Sequence, residues 1–154
     1  MPSVGIIGNN GYKMMRAFLH LCRGAINCYH ITENRCFEPK INVLVADSSD
    51  LLLPNLIQSL TNEDFLIINT DEVDIFATLE RNCAKVITYG FNSRACITAS
   101  SVTDDSLQLC IQRAFVDWTG KVRSPQEFSA SVTSLGAAAA WAVVGQSGSK
   151  PLSA

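Results

Sequence analysis

Two hydrophobic rhythms divide this 154-residue chain, and the change between them restricts the folds open to it. Up to residue 90, short apolar runs alternate with segments of helical spacing. Residues 4–7, 42–46, 65–68 and 85–89 read as buried strands. Over 12–23, Met14, Met15, Phe18, Leu19 and Cys22 recur on one helical side. Leu52, Leu53, Leu56, Ile57 and Leu60 do the same after residue 50, with Pro54 in the first turn, where a missing N–H is tolerated. Val73, Phe76 and Leu79 mark a short helix over 73–81. Strand alternating with helix is the pattern of a parallel sheet with crossover helices. After residue 94 the period becomes two. Residues 94–102, 107–115 and 127–133 read as strands with no helix between them. Leu107, Leu109 and Ile111 alternate with Gln108, Cys110 and Gln112, so one face of this sheet meets the core. An alanine-rich helix follows over 135–144. The expectation is a single α/β domain over 1–145, its mainly parallel sheet extended by antiparallel strands in the C-terminal half. Residues 146–154, rich in glycine and serine, read as a flexible tail.

Apolar residues make up 47% and charged residues 17%, the arithmetic of a globular chain. The net charge of −2, without charge blocks, argues against a nucleic-acid binder that works by neutralising phosphates. The longest weakly polar stretch, 136–144, is far short of the ~20 residues of a membrane helix. Residues 1–20 have no basic start followed by an apolar core, so a cytoplasmic protein is expected, without a membrane partner. The cysteines at 22, 28, 36, 83, 96 and 110 are then expected as free, buried thiols.

The first strand-to-helix junction carries the most chemistry. Gly8-Asn9-Asn10-Gly11 lies between the 4–7 strand and the helix that opens at Tyr12 and Lys13. Such a turn aims backbone N–H groups and the positive helix end into one concavity, which suits a phosphate. On spacing alone the favoured reading is an ordinary tight turn that uses glycine and asparagine to reach positive φ. Val4 to Lys13 resembles the opening of the ATP-binding central domain of the Mur ligases, the peptidoglycan precursor amino-acid ligases. Leu66-Ile67-Ile68-Asn69-Thr70-Asp71-Glu72 resembles their Asn-x-Asp-Asp segment, and Val86 to Ala95 the strand and turn after it. The strand meander and the small-residue helix from Leu135 resemble the end of the same domain.

The resemblance implies a P-loop/Rossmann-like three-layer fold. It also implies an ATP site formed by Gly8, Asn9, Asn10, Gly11 and Lys13, with Asn69 and Asp71 near the base. The departures from the family bear on catalysis. Its P-loop lysine falls at Tyr12, and Lys13 stands where a hydroxyl would meet Mg²⁺. The segment carrying the family's magnesium-binding glutamate, histidine and modified lysine is shortened here, and none of those groups is placed. The family's flanking domains are absent from this chain. The reading is therefore a nucleotide-binding domain without complete ligase catalysis, with weak ATP binding and little dependence on Mg²⁺. On this reading Tyr12→Lys tightens binding, and Gly11→Val abolishes it while leaving the fold intact. The alternatives are a protein-interaction module that kept the fold and lost the ligand, and a ligase subunit completed by a partner chain.

Asn69, Asp71 and Glu72 also have a local argument. They follow a parallel strand at its carboxyl end, where ligands bind in open sheets, and they equally suit a helix cap. Ser48-Ser49-Asp50 reads as capping. His20 and Cys22 with Cys28 and His30 form a set of soft ligands, but residues two apart on a helix point about 200° apart. Core cysteines and capping or surface histidines are the favoured reading, with no metal. Asp104-Asp105 reads as a turn.

Overall fold

The computed structural model describes residues 2–8, 10–24, 26–32, 40–47, 54–72 and 84–145. The chain runs through β1 (Ser3–Ile7), α1 (Gly11–Leu21), β2 (Asn27–His30), β3 (Val43–Ala46), α2 (Pro54–Gln58), β4 (Phe65–Asn69) and β5 (Lys85–Tyr89). It continues through β6 (Ile97–Val102), β7 (Leu107–Ile111), β8 (Phe115–Val116), β9 (Val122–Arg123), β10 (Gln126–Ala130) and α3 (Leu135–Val143). Eight strands form one sheet in the order β10-β7-β6-β5-β4-β3-β1-β2. Neighbours from β2 to β6 are parallel, while β6–β7 and β7–β10 are antiparallel. The change of rhythm after residue 94 precedes the change of strand direction by one strand: β6, expected among the antiparallel strands, runs parallel to β5, and the direction reverses at β7. The single α/β domain with a mainly parallel sheet is as expected.

Apolar runs without alternation bury both faces of the sheet. Val43 and Val45 enter one core with α1 and α3, and Leu44 and Ala46 enter a second with Leu56, Ile57 and Leu60. Helices therefore cover both faces of the parallel half, giving three layers. The antiparallel extension is covered on one face, and the burial of Leu107, Leu109 and Ile111 follows the period of two.

Sequence reading misses two strands, the two-residue β9 and the edge strand β2. Asn27–His30 lies at the sheet edge, parallel to β1, with Val4 opposite Cys28. It is only partly buried, so it carries no apolar signal. α1 is shorter than the expected 12–23. It closes at Cys22, where Arg23 takes a left-handed φ of 55° and the Gly24 N–H donates to Leu19 O at 2.9 Å. The expected 107–115 strand stops at Ile111, and Phe115–Val116 instead pairs with Val122–Arg123 as a small hairpin. That hairpin is tied to the last helix by Trp118 N–H donating to Val143 O at 2.7 Å.

Parallel neighbours ordinarily need a crossover of a dozen or more residues. β5 and β6 have only a short connection, and they meet only where Tyr89 pairs with Ile97. β6 therefore runs onward from the level at which β5 stops. Residues 104 and 105 form the expected turn between β6 and β7. The helix expected over 73–81, the Ser48-Ser49-Asp50 cap and the tail over 146–154 lie outside the described residues. No helix among the described residues is long and apolar enough to cross a membrane.

Candidate functional site

The carboxyl ends of β1, β3, β4 and β5 share one edge of the sheet, and a cavity of about 560 Å³ lies there. α1 lines it with Asn10, Lys13, Met14 and Ala17. Asp47 follows β3, and Asn69, Asp71 and Glu72 end β4 and its turn. Tyr89, Gly90 and Phe91 end β5. Thr133 to Gly136 bring the start of α3 to the cavity, beside Met14 and Tyr89. The chain leaves β1 toward β2 on one side and β3 on the other, and the crevice beside such a reversal is where open α/β sheets bind ligands. Two helix starts therefore face a space rimmed by strand ends.

A polar network sets the floor. The buried Tyr89 hydroxyl donates to Asp47 Oδ1 at 2.5 Å, and Asn69 Nδ2 donates to the same oxygen at 3.2 Å. Burial, with the nearby Asp47 and Asp71 carboxylates, holds the Tyr89 hydroxyl well above the usual tyrosine range, so it stays a donor. Asn69 Oδ1 accepts from the Asp71 N–H at 3.0 Å. Asp71 Oδ2 accepts from the Phe91 N–H at 2.7 Å, and its Oδ1 accepts from Asn92 Nδ2 at 2.7 Å. These bonds tie the turns after β4 and β5 into one unit.

Gly136 lets α3 reach this floor. A Cβ there would lie 2.8 Å from the Tyr89 hydroxyl and 2.3 Å from Met14 Cε. The helix is capped by Ser134, whose Oγ accepts from the Ala137 N–H at 3.2 Å. α1 differs, because its cap residue Asn10 makes no side-chain capping bond.

The structure brings Asn10, Lys13, Asn69 and Asp71 to one cavity, as the sequence argument expected of a shared sheet edge. Gly8 and Gly11 do not line it, and Asn9 lies outside the described residues. Gly11 serves packing: a Cβ there would meet the His30 ring at 2.5 Å. Substitution at Gly11 therefore strikes β2, contrary to the expectation that the fold would be left intact. Tyr12 is 57% exposed and stands outside the cavity lining, while Lys13 is the one cation on it among the described residues. Asp47 and Tyr89 were missed by sequence reading. Asp47 could have been found by the argument used for Asn69, since it stands one residue beyond an apolar strand.

The cysteine and histidine set does not converge. The His20 ring pairs with Ser131 Oγ at 3.3 Å, whereas His30 packs at the other end of α1. Nine residues of helix separate those ends by roughly 13 Å. Among the described residues no three His, Cys, Asp or Glu side chains gather as metal ligands. Cys22, Cys28, Cys96 and Cys110 are free thiols, but only Cys22 is buried and the others are intermediate. Burial pushes Cys22 up to about 12; burial and then the neighbouring Cys22 do the same for Cys28. Cys36 and Cys83 lie outside the described residues. No protein-family model matches the chain, and no curated protein matches it either.

Proposed function

We propose that this domain binds a nucleotide such as ATP in the cavity at the carboxyl edge, without complete ligase catalysis. The observation that carries the reading is the convergence of two helix starts and Lys13 on a cavity rimmed by the ends of three parallel strands, β3, β4 and β5. About 560 Å³ is the size of a small-molecule site. Asp47, Asp71 and Glu72 repel phosphate, so the phosphates take the α1 side, against Lys13 and the positive end of the helix. The resemblance to the Mur ligase central domain supports the same ligand class. Lys13 has no hydroxyl to offer Mg²⁺, so binding on this reading depends little on the ion.

The internal bonding of Asn69 and Asp71 favours a second reading, a protein-interaction module that kept the fold and lost the ligand. Calorimetric titration with ATP, with and without Mg²⁺, separates the two. The nucleotide reading expects weak, saturable binding, little change with Mg²⁺ and negligible hydrolysis. Lys13→Ala weakens that binding about tenfold, the low end for a charge-assisted bond at an exposed site. Tyr12→Lys leaves it nearly unchanged, because Tyr12 does not line the cavity. Absence of binding by the wild type leaves the interaction module as the surviving function.

A further inference from the structure

Phe91 is 65% exposed, and it stands on the cavity rim where β5 ends. The turn that carries it is held at several points. Its own N–H donates to Asp71 at 2.7 Å. The next residue, Asn92, donates to Asp71 at 2.7 Å and to Thr70 Oγ1 at 2.8 Å, and accepts from the Arg94 N–H at 2.9 Å. Folding thus fixes the backbone and leaves the ring in water. An exposed aromatic on a fixed turn offers a flat apolar face at little ordering cost when a ligand covers it.

The same cavity is lined from α1 by Lys13 and by Asn10, the helix's cap residue, whose side chain makes no capping bond. β1, which leads into α1, and β5, which leads into Phe91, lie three interstrand steps, about 14 Å, apart in the sheet. A ligand that spans them has an anionic end and a planar apolar end. Asn69 and Asp71, the residues expected near the base, are already bonded within the protein. The aromatic face at that end is Phe91.

We infer that Phe91 is the stacking platform for the base of the bound nucleotide, with the phosphates held at α1. This rests on the nucleotide reading above. Stacking of a base on an aromatic ring recognises the ring system and tolerates its substituents, so the site takes purine nucleotides with little discrimination between adenine and guanine.

The test compares ATP, GTP and inorganic tripolyphosphate by calorimetry on the wild type, Phe91→Ala and Phe91→Trp. The expected result is that Phe91→Ala weakens ATP and GTP about tenfold and leaves tripolyphosphate unchanged. Phe91→Trp keeps the affinity, and its fluorescence is quenched by ATP and not by tripolyphosphate. Because Phe91 is exposed, the thermal midpoint of each variant should match the wild type. Equal losses of ATP and tripolyphosphate, or no loss of either, overturn the stacking role while the nucleotide reading stands. A wild type that binds neither ligand overturns both.

Discussion

Asp64 shows how one side chain holds the start of a strand. Its Oδ2 accepts from Lys40 Nζ at 2.8 Å, from the Thr61 N–H at 2.8 Å and from Thr61 Oγ1 at 3.2 Å. Burial pushes this carboxyl up, but the Lys40 ammonium and the Thr61 donors outweigh it and hold it below its ordinary value. A carboxyl lowered on folding contributes stability that is complete above its unfolded value and is lost as pH falls through the folded one. Stability should therefore decline as pH drops below about 4, the ordinary aspartate value. Asp64→Asn should flatten that acid limb in urea titrations run across pH. Tyr89 is the corresponding residue at the other end of the sheet. Tyr89→Phe removes the donor to Asp47, which is half-buried and can recover part of the bond from water. Equilibrium unfolding should show a loss of about 1–2 kcal/mol.

Close approaches between elements depend on two glycines. At Gly11, the start of α1 meets the His30 ring of the edge strand β2. Gly11→Ala must displace that ring, at a cost of roughly 1–3 kcal/mol for an overpacked contact. His30→Ala clears the space, so the double variant should recover most of the loss. A double-mutant cycle by thermal unfolding measures the coupling, and additive losses would count against the contact. At Gly136 the neighbour is the Tyr89 hydroxyl, itself held on Asp47, so the helix start has less freedom to yield. The glycine turn that reads as a phosphate loop is thus partly a packing device, and neighbouring Lys13 brings the charge to the cavity.

For the whole molecule, burial is uneven across the sheet. β1 and β3 are buried at every residue, whereas the edges β2 and β10 are largely exposed or half-exposed. Amide exchange should be slowest in β1, β3 and β4 and fastest at the two edges, since central strands open only with global unfolding. Comparable protection at β2 would show that something else covers that edge. Cys22, 1% exposed and with its thiol pushed up to about 12, should resist alkylation until the domain unfolds.

Amino-acid order alone carried four of the six parallel strands, the antiparallel extension beyond β6 and the glycine turn ahead of α1, because apolar periodicity is a local consequence of which faces are buried. It also led to Asn10, Lys13, Asn69 and Asp71, since residues just beyond the ends of parallel strands share one edge of a sheet. β2 was not legible: an edge strand of Asn-Cys-Tyr-His is held by pairing with β1 and by the His30 contact with Gly11, neither of which leaves a periodic mark. The Asp47–Tyr89 bond joins residues 42 positions apart, and the fixed turn behind Phe91 depends on Asp71, 20 positions back. Such contacts depend on strand order and register, which bring distant residues within 3 Å. Only the tertiary structure decided that Gly11 packs against a histidine, that Asn69 and Asp71 bond within the protein, and that Phe91 is left facing water.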